Sequence, residues 1–364
     1  MSDTLKPLVI GDLEIKVPII QGGMGVRVSR SSLASAVANC GGAGTIASVG
    51  LSVEAEEAGI KDFVEHSNNA LKKEIRKARE LTQGALGVNI MVALSNYADL
   101  VKAAASEPID FIVSGAGLPL KMPELAAGSS VKLIPIVSSV RVTDLIIKTW
   151  KKRYDRTPDA IVVEGPLAGG HLGYRFEDLQ EEKTSSLDKL LTDILKIVKQ
   201  YEKDLNVKIP VIAAGGIFNG KDVARILNLG ASGVQIGTRF VATEECSVPD
   251  EFKQLYINAG PNDTFIIKSP VGLPGRTIRT KFVEKIMQGV KFPFICKYKC
   301  LKTCDPEKAP YCIAKALLNA VKGDIENAIV FAGSTVSRVK KIVSVKELID
   351  EIVTEAGLAL HATA

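Results

Sequence analysis

Residues 209–240 read IPVIAAGGIFNGKDVARILNLGASGVQIGTRF: an apolar run, a glycine pair, an amphipathic stretch, then a second apolar run ending in glycine. IPVIAAGG has the length and β-branched content of a strand and ends at Gly215-Gly216, and NGKDVARILNLG after it reads as a helix. SGVQIGTRF is a second strand, with Gly237-Thr238 at the start of a short helix. Strand, helix and strand at this spacing form the repeating unit of a parallel sheet.

Six further runs of the same kind precede it: PIIQGGM at 18, AGTIASVG at 43, ALGVNIMV at 85, FIVSGAG at 111, KLIPIVSS at 132 and AIVVEGP at 160. Their nearly unbroken apolar composition suits strands covered on both faces. Helical stretches lie between them, among them RSSLASAVANC, ALKKEIRKARELTQ, RVTDLIIKTWKKRY and SLDKLLTDILKIVKQYEKDL. In the last, Leu187, Leu190, Leu191, Ile194 and Val198 recur at helical spacing and define one buried face.

Eight such repeats within residues 18–245 predict an α/β fold, a closed (β/α)8 TIM barrel, over the competing open, doubly wound sheet. Residues 1–17 read as a hairpin turning at Gly11-Asp12 and plugging the barrel floor. Residues 246–320 are expected to form a small, irregular, cysteine-containing C-terminal subdomain, with the Pro/Gly-rich loop KSPVGLPGR at 268. KAPYCIAKALLNAVKG and SVKELIDEIVTEAG read as terminal helices, and 321–364 as a helical segment packing on the barrel.

The chain of 364 residues carries 46 basic and 41 acidic side chains, a net charge of +5, with no basic block interleaved with aromatics. A nucleic-acid partner is therefore not expected. The N-terminus MSDTLKPLVIGDLEIKVP lacks the apolar stretch of a secretory signal, and no run reaches the ~18 apolar residues of a membrane span. A soluble, cytoplasmic protein is expected, and its six cysteines read as thiols, metal ligands or core residues, not as a disulfide framework.

Barrel enzymes work at the C-terminal ends of their strands, and here those ends are QGGMG, ASVG, SGAG, AGGHLG, AAGGI and GTRF. Glycines so placed let backbone approach a ligand closely, which points to a large, flat or anionic molecule across the mouth. The turns after strands seven and eight, with a helix N-terminus, are the common phosphate site of such barrels, which makes Gly215, Gly216, Gly237 and Thr238 phosphate-binding candidates. Tight turns without a ligand are the simpler alternative. His171 is one of three histidines and lies in VVEGPLAGGHLGY (162–174), where an apolar strand meets glycines just after Glu164. It is read as an active-site group, against the alternative of a core histidine bonded to a carbonyl. His66 and His361 are read as structural.

VPIIQGGMG, GVNIMV, EGPLAGGHLG, PVIAAGGI and GASGVQIGTRF occur in the order and spacing of the nitronate monooxygenase family, formerly the 2-nitropropane dioxygenases. The chain resembles that family over residues 10 to about 245. In nearly all these motifs it is also similar to a sibling group, the FMN-dependent enoyl-ACP reductases of the FabK type. The resemblance implies an FMN-binding barrel, with the phosphate on Gly215, Gly216, Gly237 and Thr238. It further implies Gly22, Gly23 and Met24 along the isoalloxazine, polar contacts from Asn89, Glu164 and Gln235, and close passage of the flavin by Gly169 and Gly170.

His171 then stands beside the flavin, as a general base when neutral or a binder of anionic oxygens when protonated. The implied chemistry is one-electron oxidation of an alkyl nitronate by FMN and attack of O2 on the resulting radical, giving a carbonyl compound and nitrite. Flavin supplies the redox chemistry and protein supplies position and polarity. The sibling group would instead use NAD(P)H and an enoyl thioester. Two other readings stay open: a flavin and iron–sulfur protein for electron transfer or redox sensing, and a barrel that binds a phosphorylated metabolite without flavin. The implied partners are a small-molecule substrate with O2 or NAD(P)H, with no membrane. Homo-oligomer formation is left open.

Two features depart from a minimal member. Residues 174–206 are longer and more acidic than a βα connection needs, so RFEDLQEE reads either as a lid or as a solvated loop. In KSPVGLPGR, Lys268 and Arg276 either face an anionic ligand or pin a loop. Finally, CKYKCLKTCDPEKAPYC places Cys296, Cys300, Cys304 and Cys312 within 17 residues as C-x3-C-x3-C-x7-C. Four thiols satisfy the ligand count of an iron–sulfur cluster or structural zinc, although the spacing matches no common motif for either. Reduced, packed cysteines are the alternative.

Overall fold

The computed structural model describes residues 5–52, 62–297 and 299–362. Strands β1 (Leu8–Ile10) and β2 (Leu13–Ile15) pair antiparallel around Gly11-Asp12. The chain continues through β3 (Ile19–Gln21), β4 (Ala43–Ala47), β5 (Ala85–Met91), β6 (Phe111–Gly115), β7 (Lys132–Val137) and β8 (Ile161–Glu164). A two-residue strand, β9 (Gly170–His171), stands outside this series, and β10 (Val211–Ala214) and β11 (Gly233–Ile236) follow. Strands β3 to β8, β10 and β11 are parallel and close into an eight-stranded barrel, one strand from each apolar run quoted above.

The unbroken apolar runs conceal a period of two. Ile20, Phe111, Val113, Ile134, Val162 and Ile212 fill the barrel interior, while their neighbours Ile19, Ile112, Leu133, Ile161 and Val211 face the surrounding helices. Gly87 makes room for one interior ring, since a Cβ there would lie 2.1 Å from Phe111. Leu8, Ile10 and Ile15 of the hairpin belong to the interior cluster, so the hairpin plugs the floor. Helix Leu187–Leu205 buries Leu187, Leu190, Leu191, Ile194 and Val198, together with Leu195. Ser186 caps its start, and Asn206 ends it in the left-handed region at φ 51°.

The stretch after residue 246 is more regular than its sequence suggests. It contains helix Asp250–Asn258, an antiparallel pair β12 (Thr264–Lys268) and β13 (Pro274–Ile278), and helix Lys281–Met287. β13 also pairs with β9, so this part of the chain completes a three-stranded sheet with the segment that carries His171. Helix Val345–His361 packs on helix Gly220–Asn228, the helix after β10. Among the described residues no helix is long and apolar enough to cross a membrane.

Candidate active site

The strand ends open into a cavity of about 300 Å³. Gly22, Gly23 and Met24 follow β3, Asn89 lies on β5, Glu164 ends β8, and Gly215 and Gly216 follow β10. Gln235 lies on β11, with Gly237 and Thr238 after it, and Gly169, Gly170 and His171 complete the wall. Thus the residues singled out around the strand ends all face one space. Gly215 and Gly216 have φ of +95° and +79°, and a Cβ on Gly215 would meet the Gly165 carbonyl at 2.9 Å. At Gly169 the constraint is close approach, because a Cβ would lie 2.4 Å from the Ala332 carbonyl carbon.

The helix after β10 closes its own N-terminus. Asn219 and Asp222 form a capping box, Asp222 also accepts from the Phe218 amide at 2.9 Å, and Glu355 accepts from the Gly220 amide at 2.9 Å. An anion at this end of the barrel is therefore left with the glycine turns. Thr238 Oγ1 accepts from the Gly333 amide at 2.9 Å, tying the turn after β11 to the C-terminal part of the chain.

His171 is held from three sides. Backbone pairing sets it opposite Gly275, its Nε2 is 2.8 Å from Ser269 Oγ, and the Phe331 ring meets it edge-on with centroids 4.9 Å apart. Burial in the cavity wall lowers its pKa from 6.5 to about 4, so the imidazole is neutral across the physiological range. Glu164 is pushed the other way, to about 8, by burial alone. Its carboxyl is therefore largely protonated at neutral pH, able to donate a hydrogen bond. Ser48 Oγ and Asn96 Oδ1, also in this wall, are buried without a hydrogen-bond partner among the described residues.

Lys268 and Arg276 do not form a pair facing the cavity. Arg276 donates to the Pro166 carbonyl at 2.7 Å and the Ala168 carbonyl at 3.1 Å, pinning the loop before His171, and Lys268 Nζ stands 4.7 Å over the Phe176 ring. The RFEDLQEE segment forms helix Phe176–Gln180, whose Leu179 packs with Leu172 and Ile266. Sequence reasoning missed Ser269 and Phe331. Ser269 sits inside the quoted KSPVGLPGR loop, so the loop was legible, whereas its contact with a histidine 98 residues earlier was not.

Cys300 lines the same cavity, and Cys296, Cys304 and Cys312 lie close to it. All four are free, partly exposed thiols. Burial, and then the neighbouring thiols, push Cys300 up to about 12 and raise Cys304. Among the described residues no group of three or more His, Cys, Asp or Glu side chains could hold a metal ion as it stands. A preformed single-ion site at these cysteines is thus not present.

Comparison with known proteins agrees with this architecture. A "(3aS,4S,5R,7aS)-5-hydroxy-7a-methyl-1-oxo-octahydro-1H-indene-4-carboxyl-CoA dehydrogenase" of Mycobacterium tuberculosis is 32% identical over 279 residues, 76% of this chain and 66% of that relative. This chain is also 30% identical to a Staphylococcus aureus protein named "Probable nitronate monooxygenase", over 76% of this chain and 79% of the relative. Among solved structures, FabK from Thermotoga maritima superposes with a TM-score of 0.73 at 29% identity, covering 96% of this chain and 95% of that one. The family model described as nitronate monooxygenase matches residues 6–355, from the plugging hairpin through most of the last helix, and the chain therefore belongs to that family of oxidoreductases.

Proposed function

We propose that this protein is an FMN-dependent oxidoreductase that converts alkyl nitronates and O2 into a carbonyl compound and nitrite. The observation that carries this reading is a neutral, oriented imidazole, His171, in the wall of a cavity floored by glycine turns. The wall suits a flavin. Glycine backbone at 215, 216 and 237 lines the cavity, and nothing lies within 4 Å of where a Cβ on Gly170 would point. The orphaned Ser48 and Asn96 oxygens offer further polar contacts.

Gly215, Gly216, Gly237 and Thr238 would hold the phosphate, with Gly22, Gly23, Met24, Gly169 and Gly170 against the ring and Asn89, Glu164 and Gln235 as polar contacts. FMN, when bound, supplies the electron-accepting chemistry. The protein's own residues do the rest. Neutral His171 accepts a proton from the α-carbon of a nitroalkane, and the resulting imidazolium stays beside the anionic nitro oxygens. Ser269 fixes the plane of the ring, and Glu164, as an un-ionised acid, adds a donor without adding negative charge.

A second reading, thioester chemistry of the FabK kind with NAD(P)H, is favoured by the apolar side chains that line part of the same cavity, among them Leu94, Leu100, Ile313, Leu317 and Ile329. One experiment separates the two. Purified protein is mixed without oxygen, first with NADH and then with a nitronate, while the visible spectrum is followed. Bleaching by the nitronate supports the proposal, and bleaching by NADH alone moves the assignment to the reductase. His171→Ala is expected to keep the flavin and lose roughly 10²–10⁴ in turnover of neutral nitroalkanes.

A further inference from the structure

We propose that the stretch from Lys285 to Lys302, KIMQGVKFPFICKYKCLK, docks the protein on an anionic lipid bilayer. It carries five of the chain's 46 basic residues and none of its 41 acidic ones, so without it the two kinds would balance at 41 each. The whole net charge of +5 is thus concentrated in 18 residues. The nearest carboxylates along the chain are engaged with other cations, Glu284 with Arg279 at 3.5 Å and Asp305 with Lys308 at 3.0 Å.

Apolar side chains of the same stretch stand out into solvent. Met287 and Val290 are exposed, and Ile295, at 92%, is more exposed than any other large apolar side chain among the described residues. From 291 to 297 exposure alternates residue by residue: Lys291, Pro293, Ile295 and Lys297 are exposed, while Phe292, Phe294 and Cys296 are half-buried. A period of two turns alternate side chains to one side, so Ile295 shares a face with Lys291 and Lys297. The other side is anchored. The Phe292 ring lies 4.6 Å from that of Phe282, and the Phe292 amide donates to the Pro310 carbonyl at 2.7 Å. The Val290 amide donates to the Lys285 carbonyl at 3.0 Å, which gathers Lys285, Met287 and Val290 at the end of helix Lys281–Met287. From Val290 to Ile295 the chain spans at most about 18 Å.

Lipid fits this face better than a folded partner does. Ile295 stands almost clear of the protein, and a partner protein would need a pocket matched to it, whereas a bilayer interface accepts an inserted apolar side chain without one. The flanking lysines would reach the lipid phosphates with their stems along the acyl boundary, and each strengthens binding about fivefold. The contact is peripheral: among the described residues no helix can cross a membrane, and the expectation of no membrane partner concerned spanning segments alone. The loop also sits on the cavity side of the barrel. The Ser95 amide donates to the Cys300 carbonyl at 3.0 Å, Leu94 and Leu301 form an antiparallel bridge, and Cys300 and Leu301 line the cavity. A bilayer held here lies on the side of the mouth, away from the floor that the hairpin plugs.

Full-length protein is mixed with vesicles of phosphatidylcholine alone, or of equal parts phosphatidylcholine and phosphatidylglycerol, at low and high salt, and floated on a density gradient. Flotation with the anionic vesicles only, weakened by salt, is expected. Ile295→Ser should lower the vesicle affinity roughly tenfold. Lys291→Gln/Lys297→Gln/Lys299→Gln should lower it roughly a hundredfold. Both variants alter exposed side chains and should keep their circular dichroism. No flotation with anionic vesicles would overturn the proposal. An affinity indifferent to Ile295→Ser would do the same, since it would leave only a general attraction of lysines for polyanions. Soluble polyglutamate bound as tightly as the vesicles, with the same losses in both variants, would reassign the loop to an acidic protein partner. Should a variant fail to fold, the lipid and salt dependence of the unaltered protein decides the matter.

Discussion

The protonation and orientation of His171 are set by its surroundings. A histidine alone in water is half protonated near pH 6.5, but the wall around this one leaves it neutral down to about 4. The Ser269 hydroxyl then holds the ring at 2.8 Å. Ser269→Ala removes that tether and is expected to lower kcat roughly fivefold, the equivalent of about 1 kcal/mol, with KM little changed. Ser269→Thr should restore most of the loss. Steady-state kinetics of the two variants check this, and a matching rise in KM with no change in kcat would assign Ser269 to substrate binding instead. Glycines such as Gly215 and Gly216 were legible in the sequence because left-handed backbone excludes most other residues. Ser269 was not, because its role depends on a contact between distant positions.

At the scale of elements, the eight parallel strands and the helices between them follow from apolar runs, glycine stops and helical periodicity. The β12–β13 pair was not foreseen. TFIIK and PGRTI are short, the second begins with Pro274-Gly275, and their sheet partner is only two residues long. The C-terminal helix shows how closely elements can bind once placed. A Cβ on Gly220 would lie 2.3 Å from both the Ala356 amide nitrogen and the Ile352 carbonyl oxygen. Gly220→Ala should therefore lever helix Val345–His361 off its seat at a cost of about 1–3 kcal/mol, seen as a lower Tm. Flavin affinity should fall as well, because helix Gly220–Asn228, which carries the substitution, follows the Gly215-Gly216 turn. An unchanged melting curve would mean that the two helices separate without penalty.

Across the whole molecule, the two perturbed groups of the cavity act on stability in opposite directions. His171, at about 4 in the fold against 6.5 as a free side chain, binds fewer protons folded than unfolded, so its contribution is complete above 6.5 and is lost as pH falls toward 4. Glu164, at about 8 against 4.5, binds more protons folded, so its contribution is complete below 4.5 and is lost as pH rises through 8. The two slopes cancel between 4.5 and 6.5, and from there to about 8 only the loss from Glu164 remains. The Tm of flavin-free protein should accordingly decline from pH 6.5 to 8, and Glu164→Gln should flatten that decline. A decline that persists in the variant would place its origin outside Glu164.

The antiparallel contact between His171 and Gly275 also has a bearing on biosynthesis. A ribosome delivers all eight barrel strands before it reaches the stretch that clasps the imidazole. Until Pro274–Ile278 has left the exit tunnel, the nascent chain can close its cylinder but lacks the strand that pairs with His171. The wall that holds His171 is therefore complete only when translation is well past the barrel.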